Sequence, residues 1–167
     1  TDIQGGAGFI VPKDGYLKKV KQRCEEVGAL LIVDEIQTGI GRTGKFWGFE
    51  HFEIIPDIII SGKGLGGGMP IGAFIAQKNL MDVLKEHPTL GHITTFGGHP
   101  VIASAGVATV NTIQNSTLIE DTLEKEQLIR SLLKHPLIKE IRGKGLMLAA
   151  LLESPEIAAK IIHRCLA

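Results

Sequence analysis

The chain has 167 residues, 44% of them apolar and 22% charged, which is a globular composition with enough length for a substantial core and argues against disorder. Eighteen Lys and Arg balance eighteen Asp and Glu, so no net basic field draws nucleic acid or anionic lipid. No apolar run approaches the roughly 18 to 20 residues of a membrane-spanning helix, and no charged start precedes a short apolar segment as in a signal peptide, so a cytoplasmic protein without nucleic-acid or membrane partners is expected.

Asp14 to Val27 carries Tyr16, Val20, Cys24 and Val27 at helical spacing, with Gly28 at the expected stop, and predicts an amphipathic helix. Ala29 to Val33, ending in Asp34-Glu35, predicts a strand buried on both faces. Two more short apolar runs follow, Asp57 to Ser61 ending at Gly62-Lys63-Gly64, and Ile71 to Ala76 after Gly66-Gly67-Gly68-Met69-Pro70. Helices are predicted over Asn79 to Glu86, over Pro100 to Gln114 with Pro in its first turn, and from an N-cap at Ser116 to about Lys134. Gly145 to Leu152 reads as a strand and Ser154 to Leu166 as a final helix. Helix and strand in alternation give an α/β fold, with a domain boundary between residues 115 and 140. The chain opens on Thr1 and stops while an apolar-periodic segment is still running, which suggests a portion of a longer polypeptide.

Glycine occurs 21 times, nearly twice the usual share of about 7%, and clusters between positions 39 and 72, where tight turns or close backbone approach are expected. Gly39-Ile40-Gly41-Arg42-Thr43-Gly44 matches G-x-G-x-x-G, but Phe46 stands where a P-loop needs Ser or Thr, and Lys45 to Phe49 is a poor helix start. A closely packed loop is the plainer reading. Cys24 and Cys165 are too few for a disulfide framework and lack zinc-site spacing, so both are expected to be small buried residues. His92 and His99 have no carboxylate or Cys beside them at ligand spacing, and no metal is expected; His51, His87, His135 and His163 stand in surface-like settings.

Asp34 and Lys63 each follow an apolar strand, and ligands of open α/β sheets collect beyond the carboxyl ends of strands. Between two glycines, the Lys63 amine has room to approach a ligand closely, and desolvation there would favour its neutral, nucleophilic form. A solvated lysine in a turn, and a capping or salt-bridged Asp34, are the alternatives that the residues alone leave open.

Leu31-Ile-Val-Asp-Glu-Ile-Gln-Thr-Gly-Ile-Gly-Arg-Thr-Gly44, Pro56-Asp-Ile-Ile-Ile-Ser-Gly-Lys-Gly-Leu-Gly-Gly-Gly-Met-Pro-Ile-Gly72 and Thr94-Thr-Phe-Gly-Gly-His-Pro100 together resemble the class III pyridoxal-phosphate aminotransferases, most of all the acetylornithine, ornithine and 4-aminobutyrate branch. The resemblance implies a fold-type I, α/β transferase. Residues 1–115 would form the second half of the cofactor-binding large domain, and residues 116–167 an interdomain helix and the beginning of the C-terminal small domain. It further implies pyridoxal 5'-phosphate as cofactor, with Lys63 as the catalytic lysine that bonds it and then moves the proton between substrate carbon and cofactor. Asp34 would pair with the pyridine nitrogen, Ile36 would pack on the ring, Gln37 would bond the phenolic oxygen, and Thr95 would reach the phosphate of a neighbouring subunit in a homodimer with a shared active site. The implied reaction moves an amino group between an amino donor, such as an ω-amino acid, and a 2-oxo acid; a racemase, decarboxylase, aminomutase or non-catalytic core are the alternatives. Two positions depart from the pattern. The early motif, commonly Glu-Pro-Ile-Gln-Gly-Glu, is Thr1-Asp2-Ile3-Gln4-Gly5-Gly6, so Gly6 cannot mask a substrate-binding Arg as the second Glu does in relatives; His99 stands where Asn is usual.

Overall fold

Two glycines in the left-handed region bracket the first helix, α1 (Tyr16–Val27): Gly15 at φ 76° before it and Gly28 at φ 69° after it. The computed structural model describes residues 1–86 and 92–166, so His87 lies outside the described residues. The inward stripe of α1 is Leu17, Val20, Lys21 and Cys24, at helical i, i+3, i+4 and i+7. This corrects the expected face, since Tyr16 is 57% and Val27 55% exposed. Leu17 takes their place because it packs with Val33, Phe49 and Ile54 in the hydrophobic core.

Strands β1 (Ile32–Asp34), β2 (Ile58–Gly62) and β3 (Gly72–Ala76) form one sheet in the order β1-β2-β3. β1 runs parallel to β2, with Asp34 opposite Ile60, and β2 antiparallel to β3, with Gly62 opposite Gly72. Asp57 sets the start of β2: its carboxylate accepts from Leu31 N–H at 2.7 Å and from Lys21 Nζ at 2.9 and 3.0 Å, which ties α1, the approach to β1 and β2 together. Val33 and Ile59 face the core with α1. Ile32, Ile58, Ile60 and Phe74 line an open cavity of about 890 Å³. Burial of β1 on both faces is therefore not met among the described residues: Val33 is 3% exposed, Ile32 51%.

After β3 come α2 (Lys78–Glu86) and α3 (Pro100–Gln114). α3 lies on the turn that follows β2. A Cβ on its buried Gly106 would stand 3.4 Å from Ile71 Cδ1 and 3.6 Å from Leu65 O, so a small residue is needed for that approach. α4 spans Glu120–Leu132, not a helix from Ser116. Ser116 Oγ turns back to donate to Ile113 O at 3.3 Å, at the end of α3, and caps nothing ahead of it.

A strand absent from the sequence reading, β4 (Ile138–Lys144), pairs antiparallel with β5 (Met147–Leu152), and α5 (Pro155–Leu166) follows. Arg130 on α4 donates to Ile141 O at 2.8 Å and Gly143 O at 2.9 Å, and Glu126 accepts from Gly145 N–H at 2.6 Å, so β4 lies along α4. Cys165 is exposed and Cys24 half-buried, which corrects the expectation that both are buried. Among the described residues no helix is long and apolar enough to cross a membrane.

The Leu31 amide and the Lys21 ammonium hold the Asp57 carboxyl below its ordinary 3.8, so its contribution to stability is present above that pH and fades as the pH falls through it. Asp57→Asn is expected to cost about 1 to 2 kcal/mol at neutral pH, and urea midpoints of variant and wild type are expected to converge as the pH drops below about 3.8. Gly145 sits at φ 60°, and a Cβ there would stand 2.6 Å from Arg42 O. Gly145→Ala is therefore expected to lower the melting temperature clearly, by strain and overpacking together.

Candidate active site

Lys63 begins a short 3-10 turn (Lys63–Gly66) directly after β2, with φ 42°. A left-handed backbone costs a non-glycine residue about 1 to 2 kcal/mol. Four such residues are described, Phe9, Ile40, Glu53 and Lys63. Three of them, Phe9, Ile40 and Lys63, line a single cavity of about 270 Å³. Backbone strain gathered in one place marks a site held by its surroundings for a purpose other than stability.

Ile36 and Gln37 line the same cavity. Both follow β1, where Asp34 Oδ1 accepts from Ile36 N–H at 2.9 Å and bends the chain out of the strand. Gln37 reaches toward the opening segment of the chain: a Cβ on Gly5 would collide with Gln37 Oε1 and stand 3.3 Å from Met147 Cε. On the opposite side, a Cβ on Gly62 would meet Ile71 O at 3.2 Å and Ile36 Cγ1 and Cγ2 at 3.7 Å, so glycine leaves Ile36 beside the base of Lys63. Asp34 ends β1, in register with Ile60 on the strand that leads to Lys63, and lines neither this cavity nor the larger ones. The structure thus brings Ile36, Gln37 and Lys63 together with Asp34 on the neighbouring strand end. Thr95 is elsewhere, on a cavity of about 1000 Å³ that it shares with Met69, Phe96 and His99.

Sequence reading missed Arg42, which lines the Lys63 cavity with an exposed side chain. Arg42 and Lys63 are the charged residues of that lining and both are cationic. The motif Gly39 to Gly44 gave no signal for this because its glycines invite a phosphate reading. Instead, Gly41 N–H bonds Phe46 O at 3.1 Å and Gly44 N–H bonds Gly41 O at 3.1 Å, while a Cβ on Gly44 would stand 2.8 Å from Leu123 Cδ2. No helix opens there. The segment is a packed loop, as its plainer reading had it. His51 is half-buried, not a surface group: its Nε2 lies 3.0 Å from Thr43 O, and burial together with Lys144 pushes its pKa below 6.5. His92 packs edge-on against Phe74, with ring centroids 5.0 Å apart.

Glu35 was passed over beside Asp34, and Asp2 and Thr38 had no assigned role. All three are fully buried. Glu35 accepts from Gly48 N–H at 2.9 Å and Phe49 N–H at 2.8 Å, closing the loop that carries Ile36, Gln37, Ile40 and Arg42.

The family described as Aminotransferase class-III matches residues 1–167. The putrescine aminotransferase of Pectobacterium atrosepticum is 48% identical over 162 residues, covering 93% of this chain and 34% of that protein. The acetylornithine aminotransferase of Methanopyrus kandleri is 41% identical over 148 residues, covering 87% of this chain and 37% of the relative. The chain thus spans about a third of the length of these relatives. An ornithine aminotransferase structure from Toxoplasma gondii, with PLP at partial occupancy in its active site, superposes with a TM-score of 0.81 at 42% identity, over 91% of this chain and 37% of that one. That likeness shows the α/β, fold-type I architecture expected from the three motifs. With those motifs in family order around a strained lysine, and a family match from the first residue to the last, the chain belongs to the class-III aminotransferases.

Proposed function

We propose that the Lys63 cavity is part of a pyridoxal 5'-phosphate site, and that the protein transfers an amino group between an amino donor and a 2-oxo acid. The observation that carries this reading is the convergence of three left-handed residues, Lys63 among them, on one cavity whose charged side chains are both cationic. The lining fits the cofactor with a primary amine for its aldehyde, an amide for its phenolic oxygen and an aliphatic side chain for its ring, and the carboxylate for its ring nitrogen stands outside the lining, at the end of β1. When bound, the cofactor supplies an electron sink for the bond broken at the substrate carbon.

Asp34, whose Oδ1 accepts from the Ile36 amide, would hold a proton on the ring nitrogen. Ile36 would exclude water from one side of the ring, and Gln37 would orient it through its amide. Lys63 would hold the cofactor through its amine and, as a base, would move the proton at the substrate carbon. Arg42 makes the cavity attractive to the carboxylate of a 2-oxo acid. The similar putrescine, acetylornithine and ornithine aminotransferases favour a donor whose reacting amine ends a chain. Gly6 has nothing within 4 Å of where a Cβ would stand, so open space lies at the position to which the family resemblance gives a Glu.

Thr95 contributes from a second copy, in a homodimer with a shared active site. In support, Thr95 lies apart from Lys63 in a segment whose apolar neighbours Ile93, Phe96 and Val101 are 68%, 75% and 59% exposed. Residues 1–115 then belong to the cofactor-binding domain, and residues 116–167, with the separate β4-β5 sheet, to an interdomain helix and the start of the small domain.

Incubation with pyridoxal phosphate, followed by borohydride reduction and peptide mass analysis, is expected to place the adduct on Lys63 and to show a visible absorbance band that Lys63→Ala abolishes. Amino-donor turnover should fall by several orders of magnitude in that variant. An adduct on another lysine, or an unchanged band in Lys63→Ala, would overturn the assignment.

A further inference from the structure

Thr38 Oγ1 lies 2.7 Å from Asp2 Oδ1 and 2.7 Å from Glu35 Oε2, and all three residues are 0% exposed. A hydroxyl has one proton to give. Both contacts are at hydrogen-bond distance for oxygen pairs, so one carboxyl must supply a proton of its own. Two buried carboxylates separated by one hydroxyl do not both ionise. We propose that Asp2, Thr38 and Glu35 share a single carboxyl proton that resides on Asp2 at neutral pH, Asp2 donating to Thr38 and Thr38 to an ionised Glu35, and that this chain positions the loop supplying Ile36, Gln37, Ile40 and Arg42 to the Lys63 cavity.

The surroundings decide which carboxyl carries the proton. Glu35 receives Gly48 N–H at 2.9 Å on Oε2 and Phe49 N–H at 2.8 Å on Oε1, two donors that favour its charged form. Asp2 Oδ2 has no hydrogen-bond partner, and Thr1 Oγ1 stands 3.4 Å from Oδ1. Among the described residues, the charged group facing each carboxyl is the other carboxyl. Burial raises both carboxyl pKa values, opposed at Asp2 by Thr38 and the Asp2 and Ile3 amides and at Glu35 by Thr38 and the Gly48 and Phe49 amides. A Cβ on Gly48 would collide with Asp2 Oδ2, so the lone oxygen is pressed against the backbone with no room for water on that side.

Glu35 grips the loop at two points, through its carboxylate at Gly48 and Phe49 and through its own carbonyl, which accepts from Gly39 N–H at 3.0 Å. It is a positioning residue and touches no reacting atom. The positioning role rests on the cofactor reading above, whereas the proton assignment does not.

The test is infrared difference spectroscopy and thermal unfolding across pH, on the purified protein and on Asp2→Asn, Thr38→Val, Thr38→Ser and Glu35→Gln. A group whose folded pKa is raised stabilises below its unfolded value and loses that stability as pH rises through the folded one. Wild type is therefore expected to lose stability from the ordinary Asp value of 3.8 upward, and Asp2→Asn, with a neutral donor in place, to lack that decline and melt at or above wild type near neutral pH. A protonated-carboxyl band at neutral pH is expected in wild type and absent in Asp2→Asn. Thr38→Val and Glu35→Gln should speed hydrogen exchange at Gly48 and Phe49, and Thr38→Ser should restore it. No such band, or an Asp2→Asn variant that melts below wild type with the same pH dependence, overturns the shared proton. Unchanged exchange in Thr38→Val overturns the positioning role. Failure of Lys63 to take cofactor while the band is present sinks the functional reading and leaves the proton assignment standing.

Discussion

The Glu35 carboxylate lies fully out of water where the chain leaves β1, and the donors it meets come from residues 3, 13 and 14 further along the chain. An ionised carboxylate in such a place is tolerable only when its oxygens are satisfied. Satisfying them closes the loop between Ile36 and Gly48, because the two backbone donors stand at the loop's far end. The cavity beside Lys63 takes five of its lining residues from that loop, Ile36, Gln37, Gly39, Ile40 and Arg42. Its shape therefore depends on a group that does not touch it.

Strain at the cavity needs this kind of restraint. Phe9, Ile40 and Lys63 each adopt a left-handed backbone at about 1 to 2 kcal/mol apiece, a large share of the roughly 5 to 15 kcal/mol by which a folded domain exceeds its unfolded chain. Nothing in local sequence favours the conformation at an isoleucine or a phenylalanine. It persists because the neighbours are closed by hydrogen bonds: Gly39 N–H to Glu35 O before Ile40, Gly41 N–H to Phe46 O after it, and Gln4 N–H to Ile10 O across Phe9. Lys63 is held differently. Gly62 before it allows β2 and β3 to meet in register at Gly72, and the 3-10 turn after it is covered by α3.

Elements bounded by glycine, proline or capping signals were legible in the sequence: α3 has the predicted bounds, and α1, the three strands of the first sheet, β5 and α5 differ from theirs by only a few residues. β4 was not, because Ile138-Lys-Glu-Ile-Arg-Gly-Lys144 alternates charge with isoleucine, and its stability comes from β5 and from Arg130 on α4, which no local window shows. The helical face of α1 was misplaced for a related reason. Lys21 sits on the inward side only because Asp57, 36 residues away, meets its ammonium there. Lys63, Ile36 and Gln37 were legible through motif order and meet at one cavity. Asp2 and Glu35 were not, since a buried carboxyl is recognised by its donors, and those lie at Thr38, Gly48 and Phe49.

The cavity also depends on the second sheet. Leu146 N–H donates to Arg42 O at 2.9 Å, and Gly145 lets the turn between β4 and β5 press against Arg42 and Thr43. Met147, 4% exposed, lines the same cavity as Lys63 and has its Cε near Gly5. One wall thus comes from the loop clamped by Glu35 and another from the turn seated on that loop. Any displacement of the β4-β5 hairpin must either break the Leu146 to Arg42 hydrogen bond or carry the Arg42 backbone with it. The position of this cation in the cavity is therefore set jointly by Glu35 at one end of the loop and by the hairpin turn in its middle, with Arg42 as the residue where the two restraints meet.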